Sequence, residues 1–580
     1  MLFPSLQKNH APGFKFFCFS FLFSFFFLYP ISSHAEAPNK KPSASAIASA
    51  HPTATQAGFD ILKQGGNAFD AAIAVASTLS VVEPYSSGLG GGGFWLLHQA
   101  SDNKQVMIDA REKAPGKAFA DMYLDDQGNV DRKKAINGPL AAGIPGQVAA
   151  FVHLANHYGK LPLSKSLAPA ISAAQNGFPV NPIYQRLAGY RASTLKQYKD
   201  SNAIFLKEGK APTLGHMIVQ KDLANTLRAI AEKGLAGFYQ GDIAKRLVTS
   251  VQANGGVWTM EDLKQYNIVE RTPLIGHYRG AKIISAPPPS SGGIALISIL
   301  NQLEQFDFEK MSSIESIHVM VEAMRRAYRD RAEFLGDSDF VNVPIERLTQ
   351  KQYNQKLASS IDLAKATPSS ALGKPLDMSS GPHTTHFSIL DEEGNRVAAT
   401  LSINLPFGSG FIAEGTGVVL NNEMDDFSAK PGEPNAYGLI GSHANAIAPG
   451  KRPLSSMTPT FVERDNQVGI LGTPGGSRII TMVLLASLEM LKDQPVSDWV
   501  SRPRFHHQYL PDVIQHEPDF FNKDEMKILE SKGHRLKSIG RRYGNMHAIS
   551  WQLDTNTVTA ASDLRGVGEA KVAKIKLLNQ

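Results

Sequence analysis

The 580-residue chain predicts a layered α/β fold in which helices cover both faces of the sheets. Three observations lead there. Strand-like runs come early, over residues 94–98 and up to Ala110. Helical patterns dominate from 215 to 335, and period-two runs return after Thr384.

Lys8 and Lys15 precede an apolar, Phe-rich stretch over residues 16–30, and Ser33-His-Ala35 ends in the small residues that a signal peptidase prefers. The stretch is short for a membrane span, which needs about 20 apolar residues. An uncleaved anchor is the competing reading, and Ala37 offers a second small residue near the cut. Residues 1–35 are expected to be a signal peptide, so the mature chain is exported, to a bacterial periplasm or outside the cell, with no stable membrane anchor. Cys18 is the one cysteine and lies inside this segment, which leaves the mature chain without thiol chemistry or disulfides. A chain this long has core enough without them. Losing Lys8 and Lys15 leaves 57 basic residues against 53 acidic ones, dispersed rather than striped, and no nucleic-acid motif is visible.

Asn67-x-x-Asp70 is a capping box before the Ala-rich run 71–80, and Gly65-Gly66 should end the helix preceding it. Gly88-Leu-Gly-Gly-Gly-Gly-Phe94 leads into a strand, a turn at Asp102-Asn103 and a second strand, leaving Arg111 at a strand end. The glycine run lacks the Gly-Lys-Ser/Thr ending of a phosphate loop and the spacing of a dinucleotide fingerprint. Its glycines are expected to let backbone pack closely beside a strand that enters a site. Helical signals over 221–233 and 242–253, a capping box at Thr259-x-x-Asp262, and Ser312-x-x-Glu315 opening a long helix toward Phe334 read as scaffold.

The run Gly381-Pro-His-Thr-Thr-His386 stands where a loose polar segment, 364–383, gives way to strand-like 384–390 and 396–404. Asp391-Glu-Glu-Gly-Asn395 between them is a hairpin signal, with Gly394 and Asn395 able to take positive φ. If Glu393 centres the loop, Ser402 faces Thr384 across the ladder, and Asn404 follows on the same face. Thr-Thr at a strand start is also ordinary β chemistry. The loose segment, however, could be cut at little expense of core, and a threonine at a new amino terminus carries its own base. Its α-amine, with a pKa near 7.7–8.0, can take the hydroxyl proton.

Four strings in this order resemble the γ-glutamyltransferase family of N-terminal nucleophile hydrolases: Thr-Thr-His386, Asn421-Asn-Glu-Met-Asp-Asp-Phe-Ser428, Lys451-Arg-Pro-Leu-Ser-Ser-Met457 and Gly472-Thr-Pro-Gly-Gly-Ser-Arg478. The resemblance runs from about Pro38 to the end. It implies an αββα four-layer sandwich built from two chains cut from one precursor. The large subunit would be 36–383 and the small subunit 384–580, one intertwined unit that forms a heterodimer.

The resemblance also assigns roles. Thr384 is the nucleophile and N-terminal base, attacking the γ-carbonyl of glutathione or a related γ-glutamyl compound and passing the group to water or to amino acid and peptide acceptors. Ser402 supports it, and the backbone N–H groups of Gly475 and Gly476 form an oxyanion hole, since glycine permits the unusual dihedrals. Arg111, Ser455 and Ser456 match the positions that bind the glutamyl α-carboxylate, while Asn404, Glu423 and Asp426 match those that hold its α-ammonium. Outside the family, Asp425-Asp426 would read as a solvated turn and Arg111 as a surface ion pair. Tyr437, in Pro431-Gly-Glu-Pro-Asn-Ala-Tyr-Gly438, matches the covering position of a lid loop, which on its own reads as a plain surface loop. Two positions depart from familiar bacterial members: Ser402 stands where threonine is usual, and Glu423 where some have glutamine.

Autocleavage is expected between His383 and Thr384, the hydroxyl attacking the preceding carbonyl. No cofactor is expected, and no metal either, because His383, His386 and His506-His507 lack ligand spacing. Two other readings compete: a glutaryl/cephalosporin-type acylase of the same superfamily, which needs no ammonium-binding acids, and a non-enzymatic periplasmic binding protein, which needs no self-cleavage.

Overall fold

Two antiparallel sheets, stacked face to face between helices, organise the molecule. The computed structural model describes residues 40–372, 384–518 and 520–578. The signal-peptide reading over 1–35 and His383 of the cleavage pair lie outside the described residues.

The strands used below are β1 (Ser45–Ser49), β2 (Gly92–Gln99), β3 (Lys104–Ala110), β4 (Val269–Arg271), β5 (Leu274–Tyr278), β6 (Ala281–Ser285), β7 (Thr385–Leu390), β8 (Arg396–Ser402), β9 (Thr460–Arg464), β10 (Gln467–Gly472), β11 (His547–Gln552), β12 (Thr557–Ser562) and β13 (Glu569–Ala573). One sheet has seven strands in the order β13-β1-β7-β8-β2-β3-β4, and the other six in the order β12-β11-β10-β9-β6-β5. Both mix strands from before and after position 384, so neither part of the chain owns a sheet.

Alternation explains the layers. In β2, Phe94 and Leu96 enter the core between the sheets, while Trp95 and Leu97 join the core under the outer helices. In β10, Val468 and Ile470 face the inter-sheet core and Leu471 the opposite one. A strand buried on both faces must put apolar residues at both parities, and these do. The first outer layer contains α1 (Pro52–Lys63) and α2 (Ala68–Val82), and the second α3 (Gly292–Leu303), α4 (Ser313–Phe334) and α5 (Ile479–Leu491). The result is the expected four-layer αββα arrangement.

Several local expectations are met. Asn67 and Asp70 form a reciprocal capping box on α2, Ser312 and Glu315 form one on α4, and Gly65 sits at φ +89 after α1. Gly394 takes φ +95 in the β7–β8 turn, whereas Asn395 is pinned instead, its N–H donating to Asp391 Oδ1 at 2.9 Å. The strand begins at Thr385 rather than Thr384.

Candidate active site

The β7–β8 hairpin places the two hydroxyls as its register requires. Leu390 pairs with Arg396 and Thr385 with Leu401, so Thr384 and Ser402 are opposed one step further on. Their hydroxyl oxygens lie 3.5 Å apart, both residues being buried. Ser402 Oγ also accepts the Asn404 N–H at 2.7 Å. Asn404 reaches this side by a turn at φ +71, not by continued pleating, because β8 ends at Ser402. Its side-chain amide donates to the Asn422 carbonyl at 2.9 Å, tying the hairpin to the acidic segment. The glycine run does what close packing requires: a Cβ on Gly91 would stand 2.1 Å from the Ser402 carbonyl oxygen.

A narrow pocket of about 20 Å³ opens beside Thr384 and gathers Arg111, Ser402, Asn404, Glu423, Asp426, Tyr437, Ser455, Ser456 and Gly476. Every residue assigned by the sequence except Gly475 and the undescribed His383 lines it. The 3-10 turn Glu423–Asp426 converges its first and last acids on Arg111, whose Nη1 lies 2.7 Å from Glu423 Oε2 and whose Nη2 lies 2.5 Å from Asp426 Oδ2. A third acid, Glu112, stands 3.4 Å from the same guanidinium. Sequence reasoning kept Arg111 and the two acids apart, as separate subsites; in the structure they pair with one another. Nor are they surface groups, Arg111 being wholly buried and Glu423 nearly so.

Electrostatics follow from that burial. Burial opposes the Arg111 charge, but Glu423, Glu112 and Asp426 outweigh it and hold the guanidinium protonated. Burial drives Glu423 well up despite Arg111, and the neighbouring acids push the same way. Glu112 is pushed up to about 7, again chiefly by burial. Three carboxyl groups thus crowd one guanidinium, and burial together with that crowding favours the protonated forms of Glu112 and Glu423.

The loop after Asp426 docks on this cluster. Asn435 Nδ2 donates to Asp426 Oδ1 at 3.1 Å, the Ala436 N–H donates to Asp425, and the Tyr437 hydroxyl donates to the Asn404 carbonyl at 3.0 Å. Tyr437 therefore lies over the pocket, its ring against Gly476. Gly475 and Gly476 have φ +152 and +56. Among the described residues neither amide N–H of the pair has an acceptor. Ser456 Oγ accepts from Arg331 Nη2 at 3.3 Å, and the Tyr328 hydroxyl donates to the Ser477 carbonyl. Both donors come from α4, so that helix is more than scaffold.

On the other side of Thr384 a wider cleft of about 110 Å³ is lined by Glu83, Tyr85, Arg186, Gly475, Arg541, Arg542, Tyr543, Asn545 and Arg565. Sequence reading singled out none of these but Gly475. Glu83 ends α2 and accepts the Thr385 hydroxyl at 2.9 Å and the Tyr85 hydroxyl at 3.2 Å. Burial raises its pKa to about 7. The only local hint was Glu83-Pro84, a helix stop.

The described histidines of that set are placed elsewhere. His386 bonds to Thr400 and Ser388 inside the sandwich, His506 to Thr481 and Gln508, and His507 to Asp512.

The sequence model of the family described as Gamma-glutamyltranspeptidase matches residues 54–573. A glutathione hydrolase proenzyme of Escherichia coli is 47% identical over 530 residues, covering 90% of each chain. One from Pseudomonas sp. is 42% identical over 518 residues, covering 88% of this chain and 89% of the other. Among solved structures, a cephalosporin acylase from Bacillus halodurans superposes with a TM-score of 0.81 at 27% identity, covering 94% of this chain and 98% of that one. The Helicobacter pylori gamma-glutamyltranspeptidase does so at 0.54 with 42% identity, covering 56% of this chain and 93% of that one. With a matched region spanning nearly all the described residues and relatives this similar over nine-tenths of their length, the chain belongs to the gamma-glutamyltranspeptidase family.

Proposed function

We propose that this chain is an exported, self-processing γ-glutamyltransferase with glutathione hydrolase activity, assembled from residues 36–383 and 384–580 of one precursor. The observation that carries the reading is the buried arrangement of one guanidinium against Glu423 and Asp426, with the Thr384 hydroxyl at the mouth of the same pocket.

The pocket holds little more than a water, so a glutamyl group enters by parting these ion pairs. Its α-carboxylate takes Arg111 with Ser455 and Ser456, and its α-ammonium takes Glu423, Asp426 and Asn404. A zwitterion inserted this way exchanges one set of buried pairs for another without stranding a charge. A glutaryl group, lacking the ammonium, would leave the acids unpaired, which disfavours the acylase reading despite the shared fold.

The chemistry then runs on one residue. The Thr384 Oγ attacks the γ-carbonyl carbon while its proton passes to the Thr384 α-amine. The resulting oxyanion is held by the N–H groups of Gly475 and Gly476. The C–N bond breaks, the leaving amine takes the proton back from the ammonium, and a γ-glutamyl ester remains on Thr384. Water or an acceptor amine attacks that ester, giving glutamate or a new γ-glutamyl amide. The leaving group departs through the arginine-lined cleft, and acceptors arrive by the same route. Maturation uses the same atoms: Oγ attacks the His383 carbonyl, the acyl group shifts from nitrogen to oxygen, and water hydrolyses the ester.

The test is release of glutamate from glutathione with and without glycylglycine, alongside intact mass. Two fragments and γ-glutamyl-glycylglycine formation are expected, while Thr384→Ala should remain one band and release nothing. Product release by the uncut Thr384→Ala chain would overturn the reading.

A further inference from the structure

A carboxyl group with no cation lies beside the point where the cut is made. Glu83 is 3% exposed, at the C-terminal end of the 15-residue helix α2. The negative end of a helix dipole is a poor place for an anion. Among the described residues no lysine, arginine or histidine pairs with it; its oxygens accept only from the neutral hydroxyls of Thr385 and Tyr85, at 2.9 and 3.2 Å. A buried carboxylate left this way is expensive, and proteins ordinarily supply a counter-charge.

Cleavage supplies one. Thr385 is anchored to Glu83 through its side chain, and the nitrogen of Thr384 is one residue, roughly 4 Å of chain, further on. Glu83 and Thr384 face the same cleft. Cutting before Thr384 turns an amide that carries no charge into an amine that can carry one. We propose that Glu83 is a positioning residue whose carboxylate receives the α-ammonium of Thr384 after the cut, orienting that amine toward the Thr384 hydroxyl. The proposal rests on the reading that Thr384 becomes an amino terminus.

Other charges share the space. Arg186, Arg541, Arg542 and Arg565 line the cleft with Tyr85 and Tyr543, while Arg111, Glu423 and Asp426 stand on the pocket side. All of these groups are common to wild type and variant. A change at position 83 therefore isolates the carboxylate. Its negative charge raises the amine's proton affinity, so removing it lowers the pH at which the amine becomes a free base.

The experiment compares wild type, Glu83→Gln and Glu83→Asp after Edman sequencing of each small fragment. The readout is kcat and KM for glutathione hydrolysis from pH 5 to 9.5. In Glu83→Gln the rising limb of kcat/KM should move down by about one pH unit. Its plateau kcat should fall at least about tenfold with KM within about threefold. Glu83→Asp should keep the limb within about 0.3 unit of wild type. A limb that stays in place in matured Glu83→Gln overturns the proposal. Should that variant fail to cleave, the wild type alone decides, through pH-dependent acetylation of its small-fragment amino terminus: a midpoint above about 8 is expected, and one at or below that value refutes it. Active wild type with position 384 still internal would instead sink the reading beneath, a separate result seen at the sequencing step.

Discussion

Replacing Gly476 with alanine tests whether the tyrosine cover and the backbone donors act as one device. A Cβ on Gly476 would fall 2.5 Å from both Cδ1 and Cε1 of Tyr437, about 1 Å inside ordinary carbon contact. The residue sits at φ +56, where an L side chain costs about 1–2 kcal/mol. Tyr437 cannot swing away freely, because it is 4% exposed and its hydroxyl is held by the Asn404 carbonyl; losing that bond costs about 1 kcal/mol. Overpacking adds about 1–3 kcal/mol. If the strain is relieved by tilting the 475–476 peptide, the donors leave the oxyanion position and kcat should fall about 10²–10³-fold, with KM nearly unchanged. The control is Gly255→Ala, which has φ +85 but nothing within 4 Å of the added carbon. It should show the backbone cost as a small drop in melting temperature and leave kcat alone. Steady-state kinetics on glutathione, with melting curves for both variants, decide. A Gly476→Ala enzyme with kcat within about threefold of wild type would refute the reasoning.

Three further outcomes are expected. Ser402→Ala strands the buried Asn404 N–H, a loss of about 1–3 kcal/mol that should slow self-cleavage in a timed gel, while Ser402→Thr should cleave at least as fast as wild type. A glutaryl donor in place of a γ-glutamyl one should lose at least about 10²-fold in kcat/KM, measured with matched anilides, because Glu423 and Asp426 would have no ammonium to meet. In the uncut Thr384→Ala chain, Glu83 binds its proton more tightly folded than unfolded, with a pKa of about 7 against 4.5. Its contribution is thus fully present below about pH 4.5 and lost as pH rises through 7, at most about 3 kcal/mol. The melting temperature of Glu83→Gln in that background should therefore gain on that of its Glu83 parent as pH rises through the window; Glu112, Glu423 and Asp425, raised by burial, and buried histidines such as His386 and His506, lowered by it, titrate alike in both chains and drop out of the difference.

What was legible in the sequence was local. A five-residue turn and two alternating runs fixed the register that opposes Thr384 and Ser402, and capping boxes marked helix starts because a cap is satisfied within four residues. The glycine run signalled close approach because nothing larger fits beside the Ser402 carbonyl. The pocket residues came from motif resemblance, and the fold brought them together as expected. What escaped depends on distant parts meeting. Glu83 stands 302 positions from the threonine it binds, and Arg331 lies 125 from Ser456. The direct pairing of Arg111 with both acids escaped for the same reason, since a strand end and a turn some 300 residues later share no local signal. In β1 and β13, chain ends pair at the sheet edge, a contact no window of sequence contains.

The amino terminus of the smaller fragment in active material decides whether Thr384 is nucleophile and base in one. Edman sequencing of catalytically competent protein should read Thr-Thr-His-Phe-Ser, beginning at position 384. Full activity from chains in which Thr384 remains internal would contradict it.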